Sequence, residues 1–273
     1  GEALKDAVVL AEVRSDAVTI TAEPLDGGRA HLIMEQRASR RLWYVRSEHQ
    51  IYDLGLPRGS QVWVGPGGVY ASLANGRGRF KAQDLVYFPV APNADVGCPE
   101  LVLKHVVPVN VVPFDNGVAV VTTDDGEERL LRAFRNNGTW SLDYLGHWGG
   151  ACNIVKAGQD QVAVSLSAPT TAPRTMVCRP GTIISGAAPQ VQYRALGETG
   201  YHLCRSGAKA PGPTLVCVYG GFGAIVRPRY YPELDAGWCS LGCTLVLAHV
   251  RGGGERGAES SLSGMREGKI GAA

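Results

Sequence analysis

The chain has 273 residues, 45% of them in the hydrophobic set, and carries 27 Lys and Arg against 25 Asp and Glu for a formal charge of +2. That is enough apolar chain for one large core or two modest ones, and it excludes a disordered tail. The near balance of charge offers no broad field for nucleic acid or an anionic membrane, so neither is expected as a partner.

The N-terminal run Gly1-Glu2-Ala3-Leu4-Lys5-Asp6 has no basic region leading into an apolar core, so no secretory signal is expected and the setting is expected to be cytoplasmic. The first residue is not Met, which points to processing or to a start inside a longer gene product. The most apolar window, 211–226, is broken by Gly and Pro and falls short of the ~20 residues a membrane-spanning helix needs.

From residue 29 to about 190 the pattern is short apolar or alternating runs between turn residues, which is all-β grammar and agrees with the 36 glycines and 16 prolines. His31 to Met34, Arg41 to Val45 and Gln50 to Leu54 read as successive strands of one unit. Val62 to Val64, Val69 to Leu73 and Leu85 to Phe88 read as the next. The clearest unit runs Val109 to Val112, Val118 to Thr122, Arg129 to Phe134 and Thr139 to Tyr144. Its three turns are Asp115-Asn116-Gly117, Asp124-Asp125-Gly126 and Asn136-Asn137-Gly138, and Asn-Gly or Asp-Gly supplies the positive φ of hairpin turns. Asn153 to Val155, Gln161 to Leu166 and Thr175 to Cys178 follow. Four such units of ~40–50 residues match propeller blades, while a generic β-sandwich fits the strand grammar equally well.

Seven cysteines (Cys98, Cys152, Cys178, Cys204, Cys217, Cys239, Cys243) form no C-x-x-C pair and are odd in number, so buried reduced thiols are expected in place of zinc, redox or disulfide chemistry. Cys239 and Cys243, four apart with His249 nearby, are too sparse a set for a metal, and none is expected.

Near residue 200 the texture changes. Lys209-Ala210-Pro211-Gly212-Pro213 reads as a linker, and Thr214 to Val218 is a continuous apolar run of the kind buried on both faces of a parallel sheet. A glycine loop, Tyr219-Gly220-Gly221-Phe222-Gly223, comes next; Pro232 to Leu241 allows a short helix, and Thr244 to Val250 is a second buried run leading into Arg251-Gly252-Gly253-Gly254-Glu255. Strand, loop, helix and strand open an α/β unit. Neither glycine loop is G-x-G-x-x-G opening a long helix, and no G-x-x-x-x-G-K-[ST] occurs, so an oxyanion site is the better match than a phosphate site, and no cofactor is expected.

Tyr219-Gly220-Gly221-Phe222-Gly223, then Pro228-Arg229-Tyr230, Trp238 and Arg251-Gly252-Gly253-Gly254-Glu255, in that order, resemble the opening of the catalytic domain of the prolyl oligopeptidase family of serine peptidases. Ser165 to Pro173 is similar to that family's final-blade stretch. The resemblance implies a mixed fold, propeller-type all-β blades followed by the N-terminal strands of an α/β-hydrolase domain. It divides the chain into a partial propeller over 1–192, a linker over 193–212 and the start of the hydrolase over 213–273. By the same resemblance Tyr219 is an oxyanion donor, Phe222 lines the substrate pocket, and Arg251 and Glu255 hold their loop by ion pairing.

An acyl-transfer site of this fold needs a serine on a G-x-S-x-G elbow, then an Asp and a His. The sequence contains no such elbow: Ser261-Leu262-Ser263-Gly264-Met265 lacks the leading glycine, and the six histidines do not follow a Ser and an Asp in that order. Where the family places an aromatic after the Glu and a Trp-His pair beyond it, this sequence has Arg256 and Ser260-Ser261. The expected function is part of a prolyl oligopeptidase-like endopeptidase acting on short peptides, with post-proline preference implied by resemblance and no hydrolysis by these residues alone. A non-catalytic propeller module binding peptides or a partner protein is the alternative. A separately encoded chain completing the hydrolase domain is a further partner to consider.

Overall fold

The computed structural model describes residues 18–25, 29–36, 41–45, 51–57, 59–90, 96–124, 126–186, 190–197, 199–205, 212–221 and 223–264. Strands β1 (Val18–Leu25), β2 (Arg29–Gln36), β3 (Arg41–Val45) and β4 (Ile51–Asp53) form an antiparallel meander. A second meander joins β5 (Gln61–Gly65), β6 (Gly68–Ser72), β7 (Leu85–Pro89) and β8 (Glu100–Leu103). The third joins β9 (Val107–Phe114), β10 (Gly117–Asp124), β11 (Glu127–Asn136) and β12 (Thr139–Trp148). The fourth holds β13 (Ala151–Ala157), β14 (Val162–Ala168) and β15 (Thr171–Cys178), after which β16 (Ile184–Gly186) returns to pair in parallel with β12. The expected strands of these units are present, with β1, β8 and β16 additional to them.

The turns follow their chemistry. Between β11 and β12 the two loop residues Asn137 and Gly138 have φ of 48° and 79°, the double positive φ of a type I′ turn, whose twist matches the flanking strands.

The second, third and fourth sheets pack face to face, and β10 explains how. It is buried on both faces from Gly117 to Thr122. Val118 and Val120 enter the cluster with Tyr70, Leu85 and Tyr87 of the second sheet. Ala119 and Val121, one residue out of phase, enter the cluster with Cys152, Val164 and Leu166 of the fourth. The period of two thus feeds two cores from one strand. Each fully buried Val contributes roughly 1.5–3 kcal/mol over an exposed one. The Tyr70 hydroxyl donates to the Gly117 carbonyl at 3.0 Å and the Trp148 indole to the Ser167 carbonyl at 2.9 Å, so the polar atoms of these interlocked aromatics are satisfied between sheets.

The last sheet has the order β17 (Val191–Leu196), β18 (Thr199–Arg205), β20 (Thr244–His249), β19 (Thr214–Cys217). Strands β19 and β20 are parallel and joined through helix α1 (Pro232–Gly237) and a 3-10 turn at Cys239–Leu241, as the sequence leads one to expect; helix α2 (Ala258–Ser263) follows β20. Two expectations are corrected. Part of the stretch 193–212, read as linker, is strand: β17 and β18 form a hairpin, and β18 pairs antiparallel with β20. The run Thr214 to Val218 is not buried on both faces. Leu215 and Cys217 pack with Leu245, Leu247, Leu234 and Trp238, but Val216 and Val218 are 54% and 69% exposed, because β19 is the outer strand of this sheet among the described residues.

All seven cysteines are free; Cys98 is exposed and Cys217 and Cys243 are half-buried, exceptions to the expected burial. Among the described residues no helix is long and apolar enough to cross a membrane, and no group of His, Cys, Asp or Glu gathers to hold a metal ion.

Candidate functional site

The sequence motifs converge where the two parallel strands end. Tyr219 follows β19, and the loop 251–257 follows β20 beside it. The two glycine loops are stitched by backbone bonds: the Gly223 N–H donates to the Gly252 carbonyl at 2.9 Å, and the Gly254 N–H to the Ala224 carbonyl at 2.8 Å. Gly221 and Gly252 have φ of 81° and 89°, so each loop turns where a side chain would be strained. Gly253 serves another purpose, since a Cβ there would overlap the Tyr219 hydroxyl and the Glu255 carboxylate.

The Tyr219 hydroxyl donates to the Glu255 carboxylate, 2.6 Å from Oε1 and 2.7 Å from Oε2, and the Val226 N–H donates to the same Oε1 at 2.8 Å. A charge-assisted bond of this length fixes the phenol. Burial pushes the Tyr219 pKa well above the usual phenol range, and the bond to Glu255 and its negative charge push it further, so Tyr219 is a neutral donor. Glu255 does hold its loop, but the ion pair expected with Arg251 is not what holds it: the carboxylate takes its bonds from Tyr219 and Val226, and the buried Nε of Arg251 has no partner among the described residues. Phe222 lies outside the described residues. Ser260, Ser261 and Ser263 sit on α2, and the Ser263 hydroxyl caps back onto the Ser260 carbonyl at 2.9 Å.

Tyr219 and Glu255 are therefore brought together, and a second set of residues, unremarked in the sequence, locks this corner onto the preceding sheets. Arg227, in the segment after the first glycine loop, reaches Glu128 on β11 with Nε at 2.5 Å from Oε1 and Nη2 at 2.6 Å from Oε2. It also donates to the Cys152 carbonyl at 2.6 Å and the Asn153 side chain at 2.7 Å, both on β13. Glu128 is itself buried and takes the Cys152 N–H at 2.7 Å. Burial alone pulls the Arg227 pKa down, but pairing with Glu128 outweighs it and the net shift is upward. Gln83 adds a contact from the second sheet, donating to the Arg256 carbonyl at 2.9 Å. A small cleft lies at this seam, lined by Gly126, Tyr193, Thr199, His249, Glu255 and Arg256. No local signal could have revealed Arg227 and Glu128 as partners, because the chemistry depends on a pairing 99 positions long.

No family model and no curated protein matches the sequence. The fold, however, is similar to solved peptidase structures. A post-proline cleaving enzyme from Rickettsia typhi aligns with 100% of this chain at a TM-score of 0.76 and 16% identity. Oligopeptidase B from Trypanosoma brucei aligns with 97% of it at 0.67 and 15%, and prolyl oligopeptidase B from Galerina marginata with 100% at 0.67 and 14%. The chain spans less than half of these structures: 46%, 43% and 43% of their lengths. Over its whole length, then, the chain has the fold of a little under half of a prolyl oligopeptidase or oligopeptidase B, which is the resemblance its glycine motifs announced.

Proposed function

We propose that the chain supplies the propeller-side sheets and the oxyanion-side loops of a prolyl oligopeptidase-like serine endopeptidase acting on short peptides. The observation that carries this reading is the Tyr219 hydroxyl, a neutral donor set at the end of a parallel strand between two stitched glycine loops. Within it, β1 to β16 correspond to blades of a propeller, and the sheet beginning at Val191 corresponds to the start of an α/β-hydrolase domain. The seven free thiols suit a reducing compartment and so support a cytoplasmic setting.

In such an enzyme a serine attacks the peptide carbonyl and the oxygen gains negative charge as the carbon becomes tetrahedral. A donor aimed at that oxygen lowers the barrier, and loss of one such donor costs roughly 10²–10³ in rate. Tyr219 has a single hydroxyl proton, so its donation to an oxyanion requires that it leave Glu255. The attacking serine, its Asp and its His are not supplied by a G-x-S-x-G-type arrangement within these 273 residues, and the chain alone is therefore inactive in this reading. Preference for proline before the cleaved bond belongs to the same proposal, with Phe222 lining that pocket.

The test is covalent labelling. A fluorophosphonate should leave the purified 273-residue chain unlabelled. The polypeptide captured from its native source with an antibody to this chain should label on a serine that lies either further along it or on a complementing chain, and Tyr219→Phe should slow that labelling at least tenfold. Labelling at Ser260, Ser261 or Ser263, or a labelling rate indifferent to Tyr219→Phe, would overturn the reading.

A further inference from the structure

The seam between the third sheet and the last one contains a buried pair of histidines that no peptidase step uses. His202 on β18 is 2% exposed and His249 at the end of β20 is 8% exposed. Their rings meet with Nδ1 of His202 at 3.0 Å from Nε2 of His249, and Nε2 of His202 lies 2.8 Å from the carbonyl of Gly126, in the turn between β10 and β11. We infer that this pair is a pH-operated latch, which holds the β10–β11 hairpin against the β17–β20 sheet while both rings are neutral and releases it on acidification.

The proton positions follow from the partners. A carbonyl oxygen only accepts, so Nε2 of His202 carries a hydrogen and its Nδ1, in the neutral ring, is the acceptor. Nε2 of His249 must then donate to it. The result is a one-way chain, His249 to His202 to Gly126. A first added proton can be absorbed if His249 moves its own hydrogen to Nδ1 and accepts from His202. A second cannot. Both facing nitrogens would then be donors, with two like charges buried 3.0 Å apart.

Burial and the neighbouring charges outweigh the bond to the Gly126 carbonyl, which by itself favours a protonated His202. The ring of Tyr193 on β17 packs on both histidines, with centroids 5.4 and 5.8 Å away. Arg256, in the loop after β20, acts as a like charge on His249. Among the described residues Glu255 is the one carboxylate that favours a charged His202, and it is engaged by Tyr219 and Val226. On the hairpin side, Asp124 and Arg129 pair with each other at 2.7 Å. Thr199 and Ser260 complete the cleft without charge. Burial is the largest cause that lowers both rings, from 6.5 to about 4.

Two residues along β11, Glu128 is held by Arg227 whatever the state of the histidines, so the latch acts on the tip of the hairpin, around Gly126. Gly126 has a φ of 75°, and a Cβ there would overlap the Tyr193 ring, so the tip docks by its backbone and its carbonyl is the polar tie. Rings that are neutral in the closed seam and titrate near 6.5 once solvated make opening proton-linked. Closure is fully favoured above 6.5 and is lost as the pH falls toward 4. With two protons taken up, the opening equilibrium rises by up to about 100-fold per pH unit in that window. The latch stands independently of the peptidase reading.

Hydrogen exchange on the whole chain between pH 7.5 and 4, corrected for intrinsic rates, tests it. The amides of 121–130 and of β18 should lose protection together below pH 6.5, while β13 to β15 keep theirs. The double variant His202→Gln, His249→Gln, which retains donors but does not titrate in this range, should lose that pH step. Protection of 121–130 that is flat with pH in the wild-type chain, or a step that persists undiminished in the double variant, overturns the latch. Should the variant fail to fold, the histidine Cε1–H resonances of the wild-type chain decide: both midpoints well below 6.5 support the latch, and ordinary midpoints for the pair refute it.

Discussion

Arg227 and Glu128 form a two-pronged ion pair in which the carboxylate side chain is only 3% exposed and the guanidinium 19%. The pair joins the segment after the first glycine loop to the third sheet, and through the Cys152 carbonyl and Asn153 to the fourth. It is thus both the tie between parts of the molecule and a charge pair removed from water.

That burial fixes how the pair responds to mutation. Removing one member leaves the other charged and unsolvated, so Arg227→Ala should destabilise the chain by about 3–5 kcal/mol. Replacing both, with Arg227→Met and Glu128→Leu, should cost much less, although the Cys152 N–H then loses its acceptor. Urea unfolding of the two single variants and the double gives the cycle. Additive costs would mean that the two side chains act independently, contrary to their geometry.

Tyr219 offers a spectroscopic reading of its own environment. The Glu255 carboxylate accepts the phenol proton and repels a phenolate, and both effects raise the Tyr219 pKa on top of burial. Glu255→Gln removes the charge while leaving an amide oxygen to accept, so the ionisation of Tyr219 should move down toward the ordinary phenol range. Ultraviolet titration of wild type and variant, with Tyr219→Phe to identify the transition, measures it. Gly253→Ala should act similarly, because its methyl group would occupy the space of the hydroxyl and carboxylate. A Tyr219 transition unmoved by either substitution would contradict the hydrogen bond.

How far these features could be read from the sequence depends on how local their causes are. The unit β9 to β12 was legible because Asn137 and Gly138 announce a turn and the valines of β10 announce burial. Strand β8 was not, being four residues long and paired irregularly to β7. The hairpin of β17 and β18 looked like linker because Gln192 and Arg194 are polar and β17 is largely exposed; its place in the last sheet comes from β18 pairing with β20, some 40 residues on. In the site, the positions of Tyr219 and Glu255 were visible as motifs. The carboxylate's choice of Tyr219 and the Val226 N–H in preference to Arg251 was not, because that choice is made by the packing of two loops.

The cysteines should divide by burial in their chemistry. The thiolate is the reactive form, and burial together with the nearby Glu128 charge pushes the Cys152 thiol up to about 12, while burial takes Cys204 to about 12 as well. Cys98 is exposed. Iodoacetamide at pH 8 should therefore modify Cys98 first and leave Cys152 and Cys204 unmodified until denaturant is added. Peptide mapping by mass spectrometry reads the order, and early modification of Cys152 would show that the seam beneath Arg227 opens readily.

The outer strand of the last sheet makes the remaining prediction. Alternate residues of β19 divide the strand between two faces: Leu215 and Cys217 pack under α1, while Val216 and the following Val218 project from the other face at 54% and 69% exposure. Among the described residues β19 pairs on one side only, with β20, so its other side is open to further pairing next to exposed valines. An apolar edge of this kind templates pairing with another chain, and a lysine on it opposes that pairing through charge. The isolated chain should therefore self-associate as concentration rises, and Val216→Lys with Val218→Lys should shift it toward monomer. The cost to stability should be within about 0.5 kcal/mol per site, since neither side chain leaves a buried position. Sedimentation velocity across a concentration series distinguishes the cases. Self-association that is equally strong in the double lysine variant would place the contact on another surface.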